Sequence, residues 1–337
     1  MKFIRIILFP ITPIYFIVTW LRNWLYDVNV FESRTYETPL ICVGNLSTGG
    51  TGKTPLIEYL IRLLQNNNRV ATLSRGYKRN TDGFVLANKD ATVQTIGDEP
   101  YQFYKKFDNI HVAVDSNRQN GIEQLLKLKD QTNVILLDDA YQHRKVSAGL
   151  NILLTAYDKP YYLDFVLPTG NLREPKSGRK RADIILVTKC KSNITEADKA
   201  VIKQNLKLKS HQKVFFSFIT YAQEVIGFNS NLNVADLPKF TLVTGIANAD
   251  PLVDYLVQKG LKFDHIEYPD HHNFRVSEIE MLSKKELLIT TEKDFVRLSA
   301  NKRLSHNLYY LPIETKIENE EEFNALIKAF VFKRSLI

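Results

Sequence analysis

Between residues 40 and 218 the chain alternates short apolar runs with longer amphipathic stretches. The runs at 40–43, 70–73, 111–114, 134–137, 152–154, 184–187 and 214–218 are too short for helices and rich in β-branched side chains. They therefore predict buried strands. Helical periodicity lies between them, at 55–66, 117–129 and 196–206. Such alternation predicts an α/β fold, with a mainly parallel sheet covered by helices on both faces.

A second cycle starts near Phe240. A strand at 240–243 runs into Thr244-Gly245, a helix follows from about Pro251, strands are expected at 263–266 and 287–289, and a late helix begins at Glu320. Before this cycle, 221–239 shifts toward Gly, Asn, Ser and Pro, the composition of a linker. The expected organisation is an N-terminal helix at 1–26, a first domain at 27–222, a linker at 223–239 and a smaller α/β domain at 240–337.

The N-terminus carries an uncharged run at 6–21. As a helix it would reach about 24 Å, short of the roughly 30 Å hydrocarbon core, and Pro10 and Pro13 disfavour one straight rod. No small-residue cleavage site follows; Leu21-Arg22-Asn23-Trp24 stands there. Trp20, Trp24 and Tyr26 beside Lys2, Arg5 and Arg22 are side chains of a headgroup interface. Membrane association is expected, either in the interface or as a short span. The alternative is a helix packed on the protein's own core.

Composition narrows the partners. At 337 residues the chain has room for about two domains, and its 44% hydrophobic and 24% charged content excludes a disordered chain. The net charge of +8 suits a phosphate-bearing ligand or an anionic membrane. No dense Lys/Arg run with interleaved aromatics is present, so nucleic acid is not the expected partner. Two cysteines, Cys42 and Cys190, supply neither a disulfide framework nor a zinc pattern, and a reducing, cytoplasmic setting is the default.

The chemistry centres on Gly44-Asn45-Leu46-Ser47-Thr48-Gly49-Gly50-Thr51-Gly52-Lys53-Thr54, between a predicted strand and a predicted helix. In that context backbone N–H groups and a helix N-terminus can cradle a triphosphate. Ser47, Thr48, Gly49, Gly50, Thr51 and Gly52 would wrap the phosphates, Lys53 would reach the β- and γ-phosphates, and Thr54 would hold Mg²⁺. Ser47 departs from the usual P-loop, which has Gly at that position. The strand at 134–137 ends in Asp138-Asp139, the arrangement a Mg²⁺-handling strand requires. Thr195-Glu196-Ala197-Asp198, Ser277-Glu278-Ile279-Glu280 and Thr291-Glu292-Lys293-Asp294 each read as a Thr/Ser-x-x-acid helix start. Thr188-Lys189 follows a strand as guanine-binding motifs do, but Lys191 replaces the expected Asp, so guanine specificity has no support.

Seven strings in order resemble the tetraacyldisaccharide 4'-kinase family, the lipid A 4'-kinases of bacterial envelope synthesis. They are the loop with its flanks (Val43 to Pro55), Leu73-Ser74-Arg75-Gly76-Tyr77, Gly97-Asp98-Glu99-Pro100, Asp138-Asp139-Ala140-Tyr141-Gln142-His143, Leu167 to Pro175, Pro269-Asp270-His271-His272 and Thr291 to Asp294. The family's loop shares the departure at Ser47. Ala140, Tyr141, Thr169 and Asn171 differ from the family's commoner residues, which bears on substrate contacts rather than on the reaction.

The resemblance implies a P-loop NTPase-like fold and ATP-dependent phosphorylation of the 4'-hydroxyl of a tetraacyl disaccharide 1-phosphate. The enzyme would work at the cytoplasmic face of the inner membrane, among its lipids, with the N-terminal helix on the bilayer. It implies Asp98 as the base that takes the hydroxyl proton, with His271 oriented toward it. Lys53, Asp139 and Arg173 would serve the transfer, and Thr54, Glu99, Asp138 and Asp139 the Mg²⁺. Gln142 and His143 would order the nucleotide or metal waters, and Arg75, Tyr77, Asp270 and His272 would line the acceptor. The rival expectation is a membrane-attached nucleotide switch, in which hydrolysis drives partner binding.

Overall fold

The computed structural model describes residues 8–270 and 272–335; the charged Lys2 and Arg5 and the expected base partner His271 lie outside them. Helix α1 (Thr12–Asp27) precedes β1 (Leu40–Asn45), α2 (Lys53–Leu64), β2 (Val70–Ser74) and β3 (Val85–Leu86). Next come α3 (Val93–Ile96), α4 (Asp98–Lys106), β4 (His111–Val114), α5 (Arg118–Leu126), β5 (Val134–Asp138), β6 (Leu150–Ala156) and β7 (Ile184–Thr188). After α6 (Glu196–Leu206) follow β8 (Lys213–Tyr221), β9 (Glu224–Gly227), β10 (Asn231–Asn233), β11 (Phe240–Thr244), α7 (Asp250–Gln258) and β12 (Phe263–Glu267). The chain closes with α8 (Val276–Ser283), β13 (Leu288–Thr291), α9 (Glu292–Leu298), β14 (Leu308–Leu311), β15 (Ile313–Ile317) and α10 (Glu320–Ser335).

The expected parallel sheet forms. Its nine strands run β15-β8-β7-β6-β1-β5-β2-β4-β3, and only the edge pairs β15–β8 and β3–β4 are antiparallel. Every residue of β1 is buried, because alternate side chains enter different cores. Leu40 and Cys42 join α5 residues such as Ile122 and Leu125 on one face. Ile41 and Val43 meet Leu56, Ile57, Leu60, Ile61 and Leu64, the apolar stripe of α2, on the other. Six-stranded β10-β9-β14-β13-β11-β12 is the second sheet, parallel from β14 through β12.

Sheet membership redraws the expected boundaries. The segment read as a linker supplies β9 and β10, whose polar edge positions gave no apolar run to read; β9 pairs with β14 in the second sheet. The chain's end does not stay with that sheet either. β15 returns to pair with β8, and α10 buries Phe323, Ile327 and Val331 in the same core as α2. Phe323 meets the rings of Tyr59 and Phe215 edge-on, and fully burying such a ring is worth roughly 1.5–3 kcal/mol.

Helix α1 is inside out. Its buried residues are polar, Thr12, Thr19 and Asn23, whereas Ile14, Ile17, Val18, Trp20 and Trp24 face outward. The polar face is docked: Thr12 bonds Thr169 through their hydroxyls, Tyr15 donates to the Arg173 carbonyl at 2.9 Å, and Asn23 donates to Glu174. The helix thus rests on the protein through hydrogen bonds, with Tyr15 also packed against the first core. Among the described residues no helix is long and apolar enough to cross a membrane.

Candidate active site

The loop between β1 and α2 sits at the carboxyl end of the central strand, where open parallel sheets bind ligands. Gly44 is needed at its start, because a Cβ there would fall 2.6 Å from that of Tyr141. At its end Gly52 takes φ +86°, a left-handed conformation that costs glycine little, and opens α2 with no side-chain cap. The first amides of α2 therefore have neither an intrahelical acceptor nor a side-chain one, and they can take phosphate oxygens. The loop is braced from both sides. Asn45 donates to Thr51 Oγ1 at 2.8 Å, Thr188 donates to the Thr51 carbonyl at 2.8 Å, and Lys189 Nζ lies 2.6 Å from the Gly50 carbonyl.

A second loop is clipped to this one. The Arg173 amide donates to the Leu46 carbonyl at 2.7 Å and the Thr48 amide to that of Asn171 at 2.8 Å. Glu174, fully buried, anchors the clip by accepting from both terminal nitrogens of Arg181 and from Gln142. The same Gln142 amide donates to the Asn45 carbonyl at 2.9 Å. Gln142 thus joins the two loops from behind.

Register places Val43 of β1 opposite Asp138, so the acidic pair emerges beside the phosphate loop. Asp139 has φ +48°, a left-handed turn that Asp tolerates. Its carboxylate takes Arg173 Nη1 at 2.9 Å on each oxygen and stands 3.5 Å from Lys53 Nζ. Burial would raise its pKa, but the two cations outweigh that and hold it below the usual carboxylate range. Asp138 behaves oppositely. It is 2% exposed, one carboxyl oxygen has no hydrogen-bond partner, and burial together with the charges of Glu99 and Asp139 pushes its pKa well up.

The second sheet reaches this site through α9. Glu99, at the first turn of α4, accepts from Thr54 Oγ1 and from Lys293 Nζ, each at 3.0 Å. Partial burial opposes ionisation of Glu99, yet Lys293 and Lys53 keep its pKa below the usual range. Its neighbour Asp98 takes the guanidinium of Arg297, with Nε at 3.0 Å. Lys106 joins Glu58 and Glu292 across the same seam.

These contacts sort the expected residues. Lys53, Thr54, Glu99, Asp138, Asp139 and Arg173 converge on the loop, and Asp98 adjoins Glu99. Arg75 and Tyr77 are exposed after β2, and Asp270 is exposed after β12, close enough for its charge to act on Lys293. His272 is held in its own turn, stacked on Tyr268 and 2.9 Å from Glu278. Glu278 also accepts from the Arg275 amide, so Arg275 rather than Ser277 caps α8. Thr195 and Thr291 do cap their helices. The partners that sequence reasoning missed are Arg297 and the pairing of Lys293 with Glu99; the signals were the Thr291–Asp294 string that contains Lys293 and its Lys–x₃–Arg spacing to Arg297 on one helix face.

Comparison with known proteins agrees along the whole chain. A family model described as tetraacyldisaccharide-1-P 4'-kinase matches residues 4–331. A tetraacyldisaccharide 4'-kinase of Flavobacterium johnsoniae is 49% identical over 337 residues, covering 98% of each chain. One from Phocaeicola vulgatus is 42% identical, covering 97% of this chain and 95% of its own. Among solved structures, apo-form LpxK from Aquifex aeolicus in complex with ATP matches with a TM-score of 0.79 at 28% identity, covering 97% of this chain and 99% of that one.

Proposed function

The chain belongs to the tetraacyldisaccharide-1-phosphate 4'-kinase family, and from that premise we propose how its own residues move a phosphate from ATP to a lipid A precursor. The acceptor is the 4'-hydroxyl of a tetraacyl disaccharide 1-phosphate. The nucleotide-switch alternative is set aside, since the family is one of kinases. The observation that carries the residue assignment is the Lys53–Asp139–Arg173 cluster at the mouth of the loop, one strand end from Asp138 and beside Glu99.

In this reading the loop amides and Lys53 bind the β- and γ-phosphates. Asp139 orients Lys53 and Arg173 so that both cations face the charge that develops during transfer. Asp98 takes the proton of the 4'-hydroxyl as its oxygen bonds to the γ-phosphorus and the bond to ADP breaks. Arg297 positions Asp98, and His271 is assigned to assist it. Exposed Arg75, Tyr77 and Asp270 face the acceptor, and His272 shapes the turn that carries Asp270.

The donor set fits Mg²⁺. Asp138 offers a buried oxygen without a partner, and Thr54 Oγ1 and Glu99 stand in contact with each other. Among the described residues no three His, Cys, Asp or Glu side chains group tightly enough to hold a metal alone. That suits an ion completed by phosphate oxygens and water. When bound, it would neutralise phosphate charge. Asp139, engaged by Arg173 and facing Lys53, is assigned here as an orienting residue rather than a ligand.

The outward apolar face of α1 supports a helix lying on the cytoplasmic face of the inner membrane rather than crossing it. Docked through Tyr15, Thr12 and Asn23 to the loop that carries Arg173, it would hold the transfer site at the lipid surface. The reading is tested with paired acceptors. Tetraacyl disaccharide 1-phosphate should yield a bisphosphate by mass spectrometry and its 4'-deoxy analogue none; equal phosphorylation of the two would move the acceptor oxygen elsewhere.

A further inference from the structure

The two units meet where α9 lies against α4, and three ion pairs cross that seam in antiparallel order: Asp98 with Arg297, Glu99 with Lys293, and Lys106 with Glu292. The first two face the transfer site and cannot be its fixed reference. Asp98 gains a proton when it acts as the base, and Glu99 is a ligand for Mg²⁺; either role weakens the bond to the cation opposite. The third pair takes no part in those steps. Glu58 completes it: Lys106 Nζ stands 2.7 Å from Glu58 and 2.8 Å from Glu292, whose side chains are 2% and 9% exposed.

Glu58 ties this junction to the helix that the phosphate loop opens. It lies one turn after Thr54 on α2, and residues four apart share a helix face. The two meet α4 together: Thr54 donates to Glu99 at 3.0 Å, and Glu58 accepts from Gln102 at 2.8 Å as well as from Lys106. Arg62, a turn further on, pairs with Glu58 at 3.2 Å. One ammonium therefore joins the helix of Lys53 and Thr54, the helix of Asp98 and Glu99, and the helix of Lys293 and Arg297. A cation shared by two buried carboxylates holds them to a narrow geometry, since moving either one leaves charge uncompensated away from water.

We propose that Lys106 is a positioning residue, a role that rests on the kinase reading above: by holding Glu58 and Glu292 at once, it sets Arg297 and Lys293 against Asp98 and Glu99. Docking of the seam is then linked to a proton. Glu292 is faced by Glu58 and Arg62 of α2, Lys106 of α4 and Tyr310 of β14. Burial, and after it the charge of Glu58, raise Glu292 from the ordinary 4.5 to about 7, against the pull of Lys106 and Arg62. Because the docked value is the higher one, the support Glu292 gives the seam is complete below 4.5 and is lost as pH rises through about 7.

The test compares wild type, K106M, K106R and E292Q on tetraacyl disaccharide 1-phosphate at saturating lipid and varied ATP. K106M should lose kcat by roughly 10–100-fold, the cost of a small displacement at the reacting groups, while KM for ATP stays within about twofold. K106R, which keeps the charge, should recover part of the loss. E292Q keeps an acceptor for Lys106 without the charge that docking disfavours. The ratio of its kcat to that of wild type should therefore rise about threefold or more from about pH 6 to about pH 8. Titration of Asp98 is common to both enzymes and cancels in that ratio. A K106M enzyme with wild-type kcat, however low its Tm, makes Lys106 merely structural and overturns the proposal. A flat E292Q ratio overturns it too, and that ratio is read even if K106M does not fold. Should wild type make no bisphosphate, the kinase reading fails instead, and the junction is judged by hydrogen exchange at about pH 8. Slower exchange across residues 292–298 in E292Q than in wild type upholds it; equal exchange overturns it.

Discussion

Asp98 and Glu99 are consecutive carboxylates with different work, and their partners make the difference. Glu99 shares Thr54 with the phosphate loop, whereas Asp98 is held by Arg297 from the other sheet. Replacing Asp98 by Asn keeps the shape and removes the proton acceptor. Its kcat should fall by about 10²–10⁴ while ATP affinity stays unchanged; near wild-type turnover under saturating substrates would remove Asp98 from the base role. His143 gives a stability prediction. Burial and the charges of Arg118, Arg75 and Arg22 place its folded pKa, about 4, below the ordinary 6.5. Between those values the unfolded chain binds more protons, so this residue's contribution to stability is lost as pH falls from 6.5 toward about 4. Urea unfolding of H143Q should show a shallower decline over that window, by at most about 1.4 kcal/mol per pH unit. An identical slope in wild type would show that His143 is not held neutral. Lys53 and Asp138 stood out in the sequence because one opens a helix after a glycine-rich loop and the other ends an apolar strand, whereas Asp98 and Glu99 were singled out only by the family resemblance. Arg297 could not, since its partner lies 199 residues away.

At the scale of elements, apolar content decided what could be foreseen. The strands from β1 through β8 that lie in the sheet interior are continuous apolar runs, and they were all expected; so were α2, α5 and α6. β9 and β10 are short, β10 lies at the sheet edge, and Glu224, Asn231 and Asn233 are exposed, so only pairing reveals them. β15 alternates burial with charge at Glu314 and Lys316, and its place beside β8 depends on the chain returning to the first sheet. The outward-facing tryptophans of helix α1 were legible in the sequence, but its hydrogen-bonded underside was not. That architecture separates docking from membrane affinity. A Trp20→Ser, Trp24→Ser variant should bind anionic vesicles at least about tenfold more weakly, through lost aromatic burial. Its ATP affinity should be unaltered, because Thr12, Tyr15 and Asn23 still hold the helix. Sedimentation with vesicles reads this directly, and undiminished binding would place the membrane contact elsewhere.

Across the whole molecule, the proposed transfer site draws its groups from both sheets. The first supplies the phosphate loop, Asp138, Asp139 and Arg173; α4 supplies Asp98 and Glu99; α9 of the second unit secures those two carboxylates with Arg297 and Lys293. The chain's last strand and helix then lock onto the first sheet, so the second unit is an insertion between β8 and β15 rather than a terminal appendage. The central claim is that this assembly delivers the γ-phosphate to a lipid hydroxyl and not to water. A single-turnover reaction with γ-labelled ATP, Mg²⁺ and vesicle-borne tetraacyl disaccharide 1-phosphate decides it. One labelled phosphate on the 4'-oxygen of the lipid for each ADP formed is the predicted result. ADP accompanied by label only in inorganic phosphate would contradict it.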